Sequence, residues 1–297
     1  MTIATLRSET TLRDVIMVFK PRIAAAIMLS AIGGIAVTQG AAVSLGRLSL
    51  LALAVFLAAG SAGAFNQWME PDLDARMNRT ANRPFVTGQF KADNVWLAAI
   101  VGLLIIALLL AGLATNWWAA LYTFLGAFTY GVIYTVWLKR RSWMNIVIGG
   151  LAGSFAVLAG SAAVNPAIGI EGLLLTLVLF LWTPPHFWSL AMVSSDDYKR
   201  AGIPMLPTVA GHKICAWVIL SHAVALTLIS LIPAWFALGW IYFLGALIGG
   251  AIFTWTSLQL VLKPDHSNAI RNFFASLLQL CLLLGGAIIE SAVRAFV

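Results

Sequence analysis

Charge is scarce in this chain. Lys and Arg number 18 and Asp and Glu 11 among 297 residues, 10% of the whole, where a soluble domain carries about a quarter. That shortage excludes a water-soluble fold of ordinary composition. Cysteine is scarcer, at two. Cys215 and Cys281 both stand in apolar runs, which excludes a disulfide framework or thiolate metal centre and predicts small core residues. A Walker loop, a dinucleotide glycine fingerprint, zinc-ligand spacing and a serine nucleophile elbow are also missing. No cleavable-signal pattern is expected, because Arg13, Asp14, Lys20 and Arg22 precede the first long apolar run without a small-residue cleavage site.

What fills the space is hydrocarbon, 61% of all residues. Repeated runs of about 20 apolar residues cross a bilayer as helices. The expectation is an all-α polytopic membrane protein, one domain over residues 1–297, with membrane lipid as its surroundings. Nine spans are predicted, over residues 15–37, 48–69, 95–113, 117–138, 143–164, 172–192, 214–235, 238–262 and 273–293. With the N-terminus placed in the cytoplasm, 16 Lys and Arg from Arg7 to Arg271 fall inside, and only Arg47 and Arg294 fall outside. That bias predicts N-in, C-out insertion in the cell inner (plasma) membrane, with the C-terminus outside. It also accounts for the net charge of +7, so no nucleic-acid partner is expected. Trp117, Trp118, Trp143, Trp235 and Trp240 stand at run ends, as an aromatic belt would. The Phe236–Ala237 turn is a short outer connection.

The two long connections, residues 70–94 and 193–213, lie on the expected cytoplasmic side and carry much of the charge. Long loops in a compact bundle are more often functional than short ones. They follow the second and sixth spans, a four-span repeat that hints at internal duplication. Asn66, Glu70 and Asp74 recur every four residues, on one helical face. Two carboxylates and an amide oxygen there suit Mg²⁺, which fills its shell with water and substrate phosphate oxygens. Pro71 disfavours helical geometry at Glu70, which leaves Asp72 open as a substitute for Asp74. Arg76, Arg79, Arg83 and Lys91 follow directly. Acids beside cations fit a metal-bridged diphosphate site, whereas positive-inside charge alone would explain the bases but not the acids.

The second cluster runs from Trp182 through Pro184, Pro185, His186 and Met192 to Asp196, Asp197 and Tyr198. The double proline is expected to bend or unwind its helix. His186 is a site candidate, with a satisfied structural histidine as the plain alternative. His222, mid-span, is expected to bond a neighbouring helix as neutral imidazole. Glu290 is expected to snorkel to the outer interface. Lys20-Pro21-Arg22 and Lys139-Arg140-Arg141, with Asn145 following, are taken singly as orientation signals.

Taken together, these blocks resemble the intramembrane prenyltransferases of the UbiA superfamily, and within it the haem-farnesylating branch. The resemblance rests on Asn66-x-x-x-Glu70-x-x-x-Asp74, Met77-Asn78-Arg79-Thr80-x-x-Arg83-Pro84 and Lys20-Pro21-Arg22. It continues through Tyr134-Thr135 to Lys139-Arg140, the run from Asn145 to Gly150, Pro185-His186-Phe187, Asp196-Asp197-Tyr198 and the run from Ala201 to Pro207. These blocks occupy about two-thirds of the chain, in order, from residue 20 to residue 207. The resemblance implies nine transmembrane helices around a central cavity and Mg²⁺ (or Mn²⁺) bound to a prenyl diphosphate. It implies farnesyl diphosphate and haem b as substrates, with haem A synthase or terminal oxidase subunits as downstream partners. A homo-oligomer is compatible with it. Carried over, Asn66, Glu70, Asp74 and Asp197 become metal ligands and catalytic residues, with His186 beside them. Lys20, Arg22, Arg79, Arg83, Lys139, Arg140, Asn145, Asp196 and Tyr198 become substrate contacts. The chain departs from other branches in its second motif, where Ser194 and Tyr198 fall near positions that elsewhere hold acids four apart. Three rivals remain: a prenyltransferase for a quinone or chlorophyll-type acceptor, a transporter, and a non-catalytic oxidase assembly protein.

Overall fold

The structure is a computed structural model that describes residues 11–40, 43–235 and 238–296. Arg7 and the Phe236–Ala237 turn lie outside the described residues. Those described are helical or irregular, and no strand occurs among them. Helices α1 (Leu12–Val18) and α2 (Pro21–Val37) are followed by α3 (Leu45–Met69) and the short α4 (Pro71–Asp74) and α5 (Pro84–Thr87). Then come α6 (Asn94–Ala114), α7 (Trp117–Phe128) with a π-helical continuation over Thr129–Leu138, α8 (Asn145–Gly149) and α9 (Leu151–Val164). The chain ends with α10 (Ile170–Val193), α11 (Ser195–Ala201), α12 (Leu206–Val209), α13 (His212–Leu231), α14 (Trp240–Leu262) and α15 (His266–Phe296).

Among the described residues, eight helical segments are each long and apolar enough to cross a bilayer, and α1 with α2 makes a ninth when read as one span bent by 48°. The chain is thus a multi-pass membrane protein. Its apolar side chains point outward as well as inward, because lipid replaces water around the bundle. Trp117, Trp118, Trp143, Trp235 and Trp240 are all exposed, at helix ends.

With hydrocarbon on both sides, burial of apolar surface does little to hold helices together, and close backbone packing takes over. The α2–α9 crossing shows how. A Cβ on Gly160 would collide with the Ala31 carbonyl, and one on Gly34 with the Val157 carbonyl, so each glycine makes room for the other helix's backbone. The two long connections do not dangle. Leu73 and Met77 of the first share one buried cluster with Tyr198, Ile203, Met205 and Leu206 of the second. The loops therefore form one cap over one end of the bundle.

Several expectations are corrected. Of the bend or unwinding expected at the double proline, the unwinding does not occur: α10 stays helical through Pro184 and Pro185, and the Ser189 hydroxyl donates to the Pro185 carbonyl at 2.7 Å. Glu290 does not snorkel. It is buried and accepts from the Ile241 amide at 2.9 Å, capping the start of α14, while pairing with Arg294 at 3.3 Å. His222 bonds within its own helix, Nδ1 lying 2.9 Å from the Val218 carbonyl. Cys215 is core as expected, but Cys281 is exposed on the apolar surface.

Candidate active site

Pro71 shapes the first half of the site. It has no N–H to continue α3 and crowds the residue before it. Helix α3 therefore stops at Met69, and Glu70 takes φ −122°, ψ 34°. Pro71 then opens α4, where a missing N–H is harmless. The break is small: the Asp74 amide still donates to the Glu70 carbonyl at 3.0 Å. Asn66, Glu70 and Asp74 stay in sequence along one wall, and the choice between Asp74 and Asp72 resolves by burial. Asp74 is buried and faces Arg83 at 2.5 Å, while Asp72 is half exposed and takes both arms of Arg140 at 2.9 and 3.0 Å. Burial pushes the Asp72 carboxyl up, but the Arg140 guanidinium together with the Leu73 and Asp72 backbone amides outweighs it and holds Asp72 below its usual range.

A buried polar chain crosses the bundle beside this wall. Lys20 Nζ donates to Asn66 Oδ1 at 2.6 Å, and Asn66 Nδ2 donates to Glu70 Oε2 at 2.6 Å. Lys139 Nζ reaches the same Glu70 oxygen at 2.5 Å. Glu70 is 0% exposed, and its other oxygen, Oε1, is buried without a partner. Lys20 gets there because it adopts a left-handed φ of 50° at the bend between α1 and α2. Gly63 lets it pass, since a Cβ there would lie 3.3 Å from Lys20 Cδ.

Lys139 is delivered by the π-helix. Its amide bonds the Tyr134 carbonyl at 2.9 Å, five residues back. The wider winding puts residues five apart on one face. Tyr130 and Thr135 thus face Lys20 and Asn66, at 3.3 Å from Lys20 Nζ and 3.1 Å from Asn66 Nδ2. Tyr130 and Tyr134 stack at 5.5 Å, with Lys20 and Lys139 over their rings at 5.7 and 5.9 Å. A π-segment of this kind is frequent at functional sites. Tyr130 is a residue that 3.6-residue periodicity misses; the signal was the lysine recurring with tyrosines at intervals of five and nine.

The second loop meets the first through Asp197. It accepts from the Arg79 amide at 3.4 Å and pairs with Arg200. Asp196 is exposed beside it. The remaining candidates divide. Arg79 and Arg140 are exposed at the same end, while Arg22 is exposed and makes no ion pair among the described residues. Tyr198 is buried in the seam between the two loops, because both caps need an apolar filler there. Asn145 is 0% exposed and donates to the Lys139 and Pro204 carbonyls at 3.3 and 3.4 Å, which ties the Lys139 turn to the second loop from below. His186 turns to α15 instead: Nδ1 lies 2.7 Å from Ser276 Oγ, and the ring is stacked between Trp182 and Phe273 at 4.3 and 4.6 Å. Neither acidic loop bonds it.

Among the described residues no three His, Cys, Asp or Glu side chains converge into a closed metal cage. The orphaned Glu70 Oε1, with buried Asp74 one turn further along the same wall, fits the open kind of site. There Mg²⁺ takes one or two carboxylates and leaves the rest of its shell to phosphate oxygens.

An all-α bundle with acids and bases interleaved under a cap at one end, and hydrocarbon elsewhere, defines an intramembrane enzyme for an amphiphilic, anionic substrate. The chain belongs to the UbiA prenyltransferase family, which matches residues 27–278. A relative from Paramagnetospirillum magneticum named protoheme IX farnesyltransferase 2 is 52% identical over 273 residues, covering 92% of this chain and 95% of its own. One from Methylorubrum extorquens, named protoheme IX farnesyltransferase, is 38% identical over 290 residues, covering 95% and 90%. The solved digeranylgeranylglyceryl phosphate synthase has the same fold, with a TM-score of 0.77 at 18% identity over 94% of this chain and 98% of its own. So has a UbiA homologue from Archaeoglobus fulgidus bound to GPP and Mg²⁺, with a TM-score of 0.70 at 16% identity over 91% and 99%.

Proposed function

We infer that this protein transfers the farnesyl group of farnesyl diphosphate to a vinyl group of protohaem IX (haem b), with addition of water, to give haem O. Haem is the acceptor substrate, not a cofactor. The observation that carries the reading is the buried Lys20–Asn66–Glu70–Lys139 chain beside Asp74 and Arg83, in a chain whose relatives carry that activity in their names. We read residues 1–297 as one catalytic domain in the cell inner (plasma) membrane, with this end toward the cytoplasm. Haem A synthase or an oxidase would consume the product.

The chemistry follows from charge. The allylic C1–O bond of farnesyl diphosphate breaks, and its electron pair leaves with the diphosphate. Lys139, Arg83, Arg79 and Arg140 surround that leaving group, where fixed positive charge lowers the cost of the departing anion. Asn66, Glu70, Asp74 and Asp197 would hold a divalent cation, Mg²⁺ or Mn²⁺, which supplies further positive charge for the diphosphate when bound. The terminal vinyl carbon forms the new C–C bond with farnesyl C1. The cation left beside the porphyrin ring takes up one water and releases one proton. The apolar bundle shields the farnesyl cation from earlier capture. Asn145 and Tyr198 position the site from behind, through the Lys139 turn and the cap seam.

The test is product mass after incubating the purified protein with protohaem, farnesyl diphosphate and Mg²⁺. A gain matching hydroxyethylfarnesyl is expected. Prenylation of a quinone precursor in preference to protohaem, in a competition assay, overturns the reading.

A further inference from the structure

A second polar recess opens beside the cap, and the mechanism above does not use it. Its cavity measures about 470 Å³ and has Lys199, His212, His266 and Asn78 in its lining, with Met192 among its few apolar members. Asp197 forms part of the same wall, so the recess adjoins the diphosphate site. Several of its donors are open. The side chains of Lys199, His266 and Asn78 make no hydrogen bond or ion pair among the described residues, and His212 has only the Ser195 hydroxyl, at 3.3 Å. The start of α13, a helix of 20 residues, has no side-chain cap, so its first amides and positive dipole end are also unclaimed at His212. The acids on the same wall do not cancel this. Asp197 is already matched by Arg200, and Asp196 is exposed on the same helix as Lys199, three residues before it. Lys199 and Arg200 offset the two aspartates in charge, and Asn78, the histidine ring nitrogens and the helix-start amides add hydrogen-bond donors that suit an anion.

Resting on the farnesyl-transfer reading, we propose that this recess holds the carboxylates of the tetrapyrrole acceptor. The acceptor is a flat apolar ring with two propionates on one edge. The ring belongs in the bundle, but unpaired carboxylates are strongly disfavoured in hydrocarbon. They need cations at the polar end, and those facing Glu70, Asp74 and Asp72 are committed to acids or to diphosphate. The recess supplies Lys199, with the donors of His212, His266, Asn78 and the start of α13 around it. The recess flanks the diphosphate site across Asp197, so a ring anchored there by its propionates can lie across that end with its opposite, vinyl-bearing edge toward farnesyl C1.

The experiment uses the full chain in nonionic detergent, with binding followed by the haem absorption band. Protohaem is compared with its dimethyl ester, whose propionates are neutral. Wild type should favour the free acid by about tenfold, the size of one charge-assisted hydrogen bond. The double variant Lys199→Gln/His266→Gln, at two exposed positions, should lose that preference yet bind the ester and pyrophosphate as wild type does. Equal binding of acid and ester by wild type overturns the recess proposal alone. So does displacement of both forms alike by phosphatidylglycerol, which would assign the recess to a lipid headgroup. Wild type that binds neither form overturns the acceptor reading itself.

Discussion

Lys139→Met should change the protein's affinities for metal and for diphosphate in opposite directions. Four acids at the capped end are each matched by a base in this structure: Glu70 by Lys139, Asp74 by Arg83, Asp72 by Arg140 and Asp197 by Arg200. A bare cation therefore meets acids already neutralised, and a bare diphosphate meets bases already engaged. On the proposed function, a cation and a diphosphate arriving together would let the pairs exchange partners with no charge stranded. Lys139 is the most sensitive member, at 8% exposed and 2.5 Å from a carboxylate that is 0% exposed. Replacing it by Met keeps the length and removes the charge. The uncompensated Glu70 should cost about 3–5 kcal/mol of stability, the usual result of breaking a buried pair from one side. A divalent cation can recover part of that. About 1.4 kcal/mol recovered is a tenfold gain in affinity. Mn²⁺ binding without diphosphate, measured by electron paramagnetic resonance on the detergent-solubilised chain, should tighten by about tenfold or more. Pyrophosphate binding should weaken by about tenfold, through loss of one charged contact. Adding Glu70→Gln to Lys139→Met should restore most of the stability and abolish the gain in Mn²⁺ binding. If Lys139→Met leaves Mn²⁺ binding unchanged or weaker, the partner exchange is refuted.

Glu70→Gln alone should abolish most metal-dependent turnover, and full activity in that variant would remove Glu70 from the metal site. The Asp72–Arg140 pair is half exposed on both sides, so Arg140→Gln should cost under about 1 kcal/mol in thermal unfolding. Asp72's folded value is lowered, so the pair's contribution is present above the ordinary aspartate value near pH 4 and is lost as pH falls through the folded one. Melting curves of wild type and Arg140→Gln should therefore converge on acidification, and a difference that widens instead would contradict the assignment. Gly160→Val should leave little folded protein, because its Cβ would enter the Ala31 carbonyl and two helix backbones would have to part. Normal yield and melting temperature would show that the α2–α9 contact is looser than drawn.

The spans were readable because hydrocarbon length is a one-dimensional signal, but the 48° bend at Lys20-Pro21 inside the first expected span, 15–37, was not read from it. Glu70 and Asp74 were readable as a pair. The lysine contacts of Asn66 and Glu70 were not legible in spacing, since Lys20 to Asn66 and Lys139 to Glu70 cross 46 and 69 residues. Pro71 was rightly marked as the point of decision, but the choice fell to burial, which spacing does not report. The misreadings share one cause. Pro184–Pro185, Glu290 and His222 were judged by what each residue prefers alone, while neighbours decided the outcome: Ser189 bonding a carbonyl within α10, the uncapped start of α14 beside Glu290, and Val218 one turn before His222. His186 was grouped with the aspartates by proximity in sequence. It stands on a face of α10 that turns to Ser276, and an apolar helix advertises no such face.

The π-helical stretch acts as a phase shifter. A span that meets lipid along most of its length must present Lys139 to a carboxylate at its end, and regular winding would carry that lysine elsewhere. The surplus residue absorbs the mismatch without a kink or a proline. Deleting one residue between Thr129 and Tyr134 would let the segment relax to ordinary α-helix and swing everything after it by about 100°. The span would remain as hydrophobic and nearly as long, and the membrane would accept it. Lys139 would face lipid, and Glu70 would lose its partner without any change to either side chain. The chain's catalytic register is thus held by a count of residues as much as by their identity.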